Sequence, residues 1–155
     1  MTGLLKADLV EVDLDVASQE DLFAHLARKV TGVGYVRDSF EQALADREAI
    51  YPTALPTQPE AIAIPHTDAE HIITPFIAPV RLRTAVRWAE MGNDQNHHDV
   101  RFVFLLGLDK AGGQVKALQA LTTAFQDPTF FTRLADATGP EDYLAVVQSV
   151  DGLEN

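Results

Sequence analysis

The stretch that decides the fold is "VRFVFLLGL", residues 100–108, which is the most hydrophobic run of the chain. It is rich in valine and phenylalanine, and it lacks the alternation of apolar and polar positions that a half-exposed strand shows. Strands that are covered on both faces have such unbroken apolar runs, because neither face meets water. The run therefore predicts a central strand of a sheet that lies between two layers of helices.

Segments on either side of this run predict further strands and several helices. Residues 9–16, "LVEVDLDV", alternate as a half-buried strand does, and Ser18 has the position of a helix N-cap. An apolar stripe follows Ser18 at helical spacing and ends before two glycines: Leu22, Phe23, Leu26, Val30, then Gly32 and Gly34. Asp38 is the expected cap of a second helix. Three more helices are expected to begin at Gly112–Gly113, at Asp127–Pro128 and at Pro140.

The middle of the chain predicts loops and short strands. Six of the eight prolines lie within residues 52–80, which excludes a long helix there. We expect strands at 61–64, 76–82 and 84–91, and a polar turn at 93–99, "NDQNHHD". The mixture of elements predicts one α/β domain over residues 1–155, with a mixed β-sheet flanked by helices on both faces.

Composition narrows the function classes. The chain has 155 residues, no cysteine and a net charge of −11. Without cysteine it has no disulfide, thiolate nucleophile or Cys-type zinc site, and its negative charge disfavours nucleic acid and anionic membrane surfaces as partners. No window approaches the ~20 apolar residues of a membrane span, and the N-terminus lacks the pattern of a signal peptide. We expect a cytoplasmic protein.

The most unusual local feature is His66 in "AIAIPHTDAEH", residues 61–71, where a histidine follows an apolar strand and a proline. A neutral imidazole in this position can be a nucleophile or general base. It can also be a metal ligand with Asp68 and His71, although the five-residue step between the histidines is not a helical i, i+4 pair. A structural histidine remains the third possibility.

Arg47 is the second candidate. It lies at i+7 from Phe40 and i+3 from Leu44, so it shares the apolar face of the second helix. An inward-facing arginine can bind an anion through its planar fork, or it can simply complement the C-terminus of the helix dipole. Of the other histidines, His25 is expected at the surface or at the edge of the core, and His97 and His98 are expected at the surface. Gly-rich phosphate loops and the GxSxG elbow are absent from the sequence.

The segment "REAIYPTALPTQPEAIAIPHTD", residues 47–68, resembles the active-site segment of enzyme IIA domains of the fructose–mannitol superfamily. These domains belong to the bacterial phosphoenolpyruvate-dependent sugar phosphotransferase system. The downstream segment 100–127, "VRFVFLLGLDKAGGQVKALQALTTAFQD", is similar to the galactitol-type branch. Fructose and mannitol types usually carry a second histidine at the start of that helix, and this chain has Gln114 there.

The resemblance implies a phosphocarrier that takes a phosphoryl group from the protein HPr and passes it to an enzyme IIB partner. It implies His66 as the phosphoryl acceptor through Nε2 and Arg47 as the phosphate clamp. Thr53, Thr67 and Gln114 are expected to add hydrogen-bond donors, with loop capping as the alternative role of the two threonines. No metal or nucleotide cofactor is required, because the donor is already a phosphoprotein.

Other expectations concern the surface and the rival functions. Because two proteins must reach His66, exposed apolar residues are expected around it. Phe76, Ile77 and Trp88 are candidates, and a place in the core is the equal alternative for all three. His71 either tunes the site or is exposed. The alternatives are a regulatory IIA-like domain that uses phosphorylation of His66 as a signal, and a small metal-binding module.

Overall fold

The fold was obtained as a computed structural model, which describes residues 3–110 and 114–153. Within these ranges the strands are β1 (Glu11–Leu14), β2 (Ala54–Leu55), β3 (Ile62–Ala63), β4 (Phe76–Glu90) and β5 (Asn93–Gly107). The α-helices are α1 (Gln19–Gly32), α2 (Phe40–Ile50), α3 (Val115–Ala124), α4 (Pro128–Asp136) and α5 (Pro140–Gln148). The helix start expected at Gly112–Gly113 lies outside the described residues.

The hydrophobic run of the sequence is the centre of a mixed sheet, as predicted. Val103 of β5 pairs with Val80 of β4 on one side and with Ala63 of β3 on the other. The β4–β5 and β2–β3 pairs are antiparallel, whereas β1 runs parallel to β4 and β3 runs parallel to β5. At the last residue of β4, Glu90 pairs with Ala54 of β2, which runs parallel to β4.

Helices cover both faces of the sheet, which confirms the predicted sandwich. Val103 and Leu105 belong to the core that contains the apolar sides of α1 and α2. Phe102, Phe104 and Leu106 alternate with them and belong to the core that contains α3, α4 and α5. This two-residue alternation in an all-apolar run is the reason that β5 is buried on both sides. No helix in the described ranges is both long enough and apolar enough to cross a membrane.

The long β4–β5 hairpin corrects two sequence predictions. The two strands expected at 76–82 and 84–91 are one strand, Phe76–Glu90, with an irregularity in the pairing between Arg81 and Val86. The polar segment 93–99 is the start of β5 and not a turn; His98, for example, pairs with Trp88. The turn lies at Met91 and Gly92, where Gly92 has φ of 77°, a conformation that glycine adopts without strain.

Helix caps explain where several helices begin. Ser18 accepts a hydrogen bond from the amide of Asp21 at 3.1 Å, which confirms its role as the cap of α1. Asp127 likewise accepts from the amide of Thr129 at 3.0 Å, at the start of α4. The expected cap at Asp38 is wrong: α2 begins at Phe40 after Ser39, whose side chain makes no capping bond. The hydroxyl of Ser39 lies instead 2.7 Å from Nδ1 of His71.

Candidate functional site

His66 lies beside the end of β5, where the chain leaves β3. The amide of Leu106 donates a hydrogen bond to the carbonyl of Pro65 at 3.0 Å, and His66 and Leu106 form an isolated parallel bridge. The imidazole is also fixed, because its Nδ1 lies 2.8 Å from the carbonyl oxygen of Ile64. The main chain therefore holds the histidine on both sides and determines the orientation of its ring.

The contact with Ile64 decides the tautomer of His66. A carbonyl oxygen only accepts hydrogen bonds, so Nδ1 carries the proton and Nε2 keeps its lone pair. Burial is the largest cause that lowers the pKa of His66 below 6.5, and the positive charge of Arg47 lowers this pKa as well, against opposing effects of Ile64 and Asp68. The ring is consequently neutral at pH 7, with Nε2 available as a nucleophile.

Arg47 lies in the last turn of α2 and is half-buried, in agreement with its predicted inward position. Its Nη1 donates to Oδ1 of Asp68 at 2.9 Å, and its guanidinium carbon lies 5.3 Å from the centroid of the Tyr51 ring. Nε of Arg47 is buried and has no hydrogen-bond partner in the structure. A buried donor without a partner is costly, so this nitrogen is well suited to bind an anion that enters the site.

Glu48, which follows Arg47, is a buried residue that the sequence interpretation missed. Its side chain is only 6 % exposed. It accepts hydrogen bonds from the amide of Thr53 at 2.7 Å, from the Thr53 hydroxyl at 2.8 Å and from Nε1 of Trp88 at 3.0 Å. Burial raises the pKa of the Glu48 carboxyl, while these donors oppose the shift. The spacing of Phe40, Leu44 and Glu48 at i, i+4 and i+8 was the signal for its burial.

The three expected supporting residues have other partners in this structure. The Thr53 hydroxyl donates to Glu48, and Thr53 is 2 % exposed. The Thr67 hydroxyl donates to the carbonyl of Asp68 at 3.0 Å, and the Gln114 amide donates to Oδ1 of Asp109 at 3.0 Å. Arg47 and Asp68 are thus bonded to each other and both act electrostatically on His66. The side-chain polar groups of the other three residues are engaged elsewhere.

The possible metal ligands do not converge. Asp68 pairs with Arg47, Nδ1 of His66 is engaged by Ile64, and Nδ1 of His71 is close to Ser39. Among residues 3–110 and 114–153, no group of three histidine or acidic side chains is arranged to hold a metal ion. Two further histidines have partners outside the site: His25 contacts Glu11 at 2.9 Å, and His98 contacts Glu90 at 2.7 Å.

An apolar groove lies beside His66, where exposed apolar residues were expected. For Phe76, Ile77 and Trp88 the core alternative holds, since they are 0 %, 0 % and 1 % exposed, and the surface alternative is wrong. The groove has a volume of about 360 Å³ and is lined mainly by aliphatic side chains next to His66: Ile64, Leu106, Leu108, Val115 and Leu118. In α3, Ala117 and Leu121 pack into the core, which leaves this other side of the helix to the groove.

A neutral imidazole with a free ring nitrogen, near a guanidinium with a free donor, has the chemistry to bind and transfer an anionic group. The chain belongs to the family described as "Phosphoenolpyruvate-dependent sugar phosphotransferase system, EIIA 2", whose model matches residues 3–150. The galactitol-specific EIIA component of Escherichia coli K12 is 30 % identical over 135 residues, which cover 87 % of this chain and 88 % of that relative.

Solved structures agree on the fold. The crystal structure of IIA mannitol from Escherichia coli has a TM-score of 0.71 at 23 % identity, covering 92 % of this chain and 97 % of that one. The complex of enzyme IIA mannitol with phosphorylated enzyme IIB mannitol from Escherichia coli gives a TM-score of 0.75 at 23 % identity, covering 94 % and 99 %. The predicted fold class, the galactitol-type resemblance and a phosphocarrier role in this system are therefore confirmed.

Proposed function

We propose that the chain accepts a phosphoryl group from phosphorylated HPr on Nε2 of His66 and passes it to an enzyme IIB partner. The observation that carries this proposal is the 2.8 Å contact between Nδ1 of His66 and the carbonyl of Ile64. It leaves Nε2 as the nucleophilic nitrogen in a ring that the lowered pKa keeps neutral at pH 7. Half-burial of the ring allows both partners to reach it in turn.

In the accepting step, the lone pair of Nε2 forms a bond to phosphorus while the nitrogen–phosphorus bond of the donor phosphohistidine breaks. The donor nitrogen keeps the electron pair of the broken bond. His66 keeps its proton on Nδ1, so the phosphorylated ring is formally cationic, and the bond to the Ile64 carbonyl stabilises this charge. The donating step is the same displacement on His66, with the nucleophile of enzyme IIB as the attacking group.

Arg47 is the proposed phosphate clamp. Phosphoryl transfer depends mainly on positioning and on stabilisation of charge on the phosphoryl oxygens. The unpartnered Nε of Arg47 supplies a buried donor, and its Nη1 can exchange the exposed carboxylate of Asp68 for a phosphoryl oxygen. Thr67 and Gln114 contribute only after turning away from their present partners. Thr53 contributes through Glu48 and not as a direct phosphate donor.

The comparisons and the surface support a proposal about the partners and the sugar. We infer that HPr and enzyme IIB both dock over the apolar groove, because a neighbour of the same fold forms a complex with phosphorylated enzyme IIB. The similarity to a galactitol-specific component, together with Gln114 in place of a histidine, favours uptake of galactitol or a related polyol. A cytoplasmic location is part of this proposal, since it is the location that exchange with HPr and enzyme IIB requires.

The test is phosphorylation of the purified protein with phosphoenolpyruvate, enzyme I and HPr. Wild type is expected to gain one acid-labile, base-stable phosphoryl group, and His66→Ala is expected to gain none. His71→Ala is the matched control and should label fully, because its Nδ1 lies close to Ser39 and not in the site. Full labelling of His66→Ala would exclude His66 as the acceptor.

A further inference from the structure

A continuous chain of hydrogen bonds connects the helix that carries Arg47 with the ring of His66. The amide and hydroxyl of Thr53 donate to the two carboxylate oxygens of Glu48, at 2.7 and 2.8 Å. The amide of Ile64 donates to the carbonyl of Thr53 at 3.3 Å, and the carbonyl of Ile64 faces Nδ1 of His66 at 2.8 Å. We call these four residues, Glu48, Thr53, Ile64 and His66, the Glu48 chain.

We propose that Glu48 is a positioning residue for phosphoryl transfer: through the Glu48 chain it fixes the placement of Arg47 relative to His66. This inference rests on the proposed acceptor role of His66. Arg47 and Glu48 are neighbours on α2, but the side chain of Arg47 lies at the site and that of Glu48 lies in the core. Any shift of the last turn of α2 that moves Arg47 must also break the bonds of Glu48.

The energetics of Glu48 support a specific role. Burying a carboxylate is unfavourable unless its oxygens are hydrogen-bonded, and an apolar side chain of similar size generally stabilises a core at least as well. The donors in the direct hydrogen bonds of Glu48 are neutral groups of Thr53 and Trp88. Trp88 is 1 % exposed and lies on β4, so its bond ties the Glu48 chain to the sheet. We therefore infer that the buried carboxylate is present because its hydrogen bonds fix the position of α2 relative to Thr53 and the sheet.

The backbone between α2 and β3 has little other support from strand pairing. Strands β2 and β3 have only two residues each, and the segment between α2 and β3 is rich in proline. Short pairing of this kind fixes a loop weakly. Transfer in line requires the reacting atoms and the charge-stabilising donors to be placed closely, and a displacement of about 1 Å can lower the rate by about 100-fold. The carboxylate of Glu48 supplies a rigid connection where the strands do not.

Three variants separate geometry from charge. Glu48→Ala removes every bond of the carboxylate and is expected to lower kcat for phosphoryl acceptance from phosphorylated HPr by at least about tenfold, with little change in KM. Thr53→Val keeps the amide bond but loses the hydroxyl bond, and a smaller decrease is expected. Glu48→Gln can keep all three bonds, because the Thr53 hydroxyl can accept as well as donate. This variant should remain within about threefold of wild type.

A spectroscopic readout and a control remove the ambiguity of a merely structural effect. The ¹⁵N shifts of His66 report its tautomer, and Glu48→Ala is expected to reduce the fraction with the proton on Nδ1. Val147→Ala, a buried truncation in the core on the other face, should lose stability without changing kcat or the tautomer. The sole tryptophan, Trp88, provides a fluorescence signal that should change in Glu48→Ala and should not change in the Val147→Ala control.

The outcomes distinguish a failure of the positioning role of Glu48 from a failure of the proposed function. Wild-type kcat and an unchanged tautomer in Glu48→Ala would overturn the positioning role, and so would a Glu48→Gln variant as slow as Glu48→Ala. If wild type itself is not labelled by phosphorylated HPr, the proposed function fails. The tautomer and fluorescence measurements on unphosphorylated protein then still decide whether Glu48 fixes His66.

Discussion

Arg47 and Asp68 form an ion pair beside His66, with Nη1 of the arginine 2.9 Å from Oδ1 of the aspartate. The two members differ in exposure, since the side chain of Arg47 is 32 % exposed and that of Asp68 is 67 % exposed. An exposed pair of this kind contributes little to stability. In the proposed mechanism its importance is that the carboxylate occupies a donor that a phosphoryl group on His66 would need.

Asp68→Asn should therefore favour the phosphorylated state. The substitution removes the competitor for Arg47 and a negative charge two residues from His66. We expect the equilibrium between phosphorylated HPr and this chain to shift towards phosphorylated His66 by about two- to fivefold, the range that an exposed pair supports. Asp46→Asn on α2 removes the same charge from a side chain that accepts a bond from Gln42, and it serves as the control. An equal shift in both variants would mean that only net charge matters.

The pH dependence of phosphoryl acceptance should follow the lowered pKa of His66. Only the neutral ring attacks phosphorus, and burial together with the charge of Arg47 lowers the pKa below 6.5. The rate is therefore expected to fall as the ring becomes protonated, at a lower pH than it would for an unperturbed histidine. Arg47→Ala removes one cause of the lowering, so the pKa of His66 should rise in an NMR titration. Arg133→Ala on α4 is the control and should leave it unchanged.

A residue of this site was predictable from the sequence when its local sequence pattern indicates its position. His66 and Arg47 follow local rules, namely a histidine behind a strand and proline and an arginine on an apolar helix face, and both predictions placed them where the structure brings them together. Glu48 was missed because a glutamate beside an arginine on a helix usually faces water. Its burial depends on Trp88, which is 40 positions further along the chain.

The hairpin illustrates the same limit for the fold. Residues 93–99 are polar and carry no apolar alternation, so their sequence is typical of a turn. They form a strand because the partner strand β4 provides a ladder, including the pairs of Arg87 with Asp99 and of Ala89 with His97. Such pairing is tertiary information, and local propensity cannot supply it. The all-apolar run at 100–108 needed no partner to be recognised.

Arg81→Ala should destabilise the fold without affecting the chemistry. Arg81 is 6 % exposed, and its Nη1 donates to the carbonyls of Leu134, Ala135 and Ala137 at 2.8, 3.1 and 2.8 Å at the end of α4. Loss of this donor leaves buried acceptors unpaired, so we expect the free energy of unfolding to fall by about 2–4 kcal/mol. Urea denaturation measures this change.

The neighbouring exposed arginine on β4 provides the control for Arg81. Arg83→Ala should change the free energy of unfolding by less than about 0.5 kcal/mol, as surface substitutions usually do. Phosphorylation of His66, assayed well below the unfolding temperature, should proceed at the wild-type rate in both variants. A slow Arg81→Ala protein that is fully folded in the assay would contradict the separation of this contact from the site.

Val115→Asp tests the groove as the docking surface. Val115 lines the groove beside His66 and is 55 % exposed, so the substitution does not disturb the core. It lies at the start of α3, where a negative charge is favourable for the helix. A carboxylate buried under an apolar partner surface is costly, so we expect KM for phosphorylated HPr to rise about tenfold, equivalent to about 1.4 kcal/mol, while kcat stays near its wild-type value.

The control for Val115→Asp is Thr123→Asp, which adds the same charge to an exposed position of α3 away from the groove. Its KM should remain within about twofold of wild type, because surface charges at a distance are screened by salt. Steady-state kinetics at two ionic strengths measure both variants. If Thr123→Asp raises KM as much as Val115→Asp, the effect comes from the overall charge and HPr does not dock on the groove.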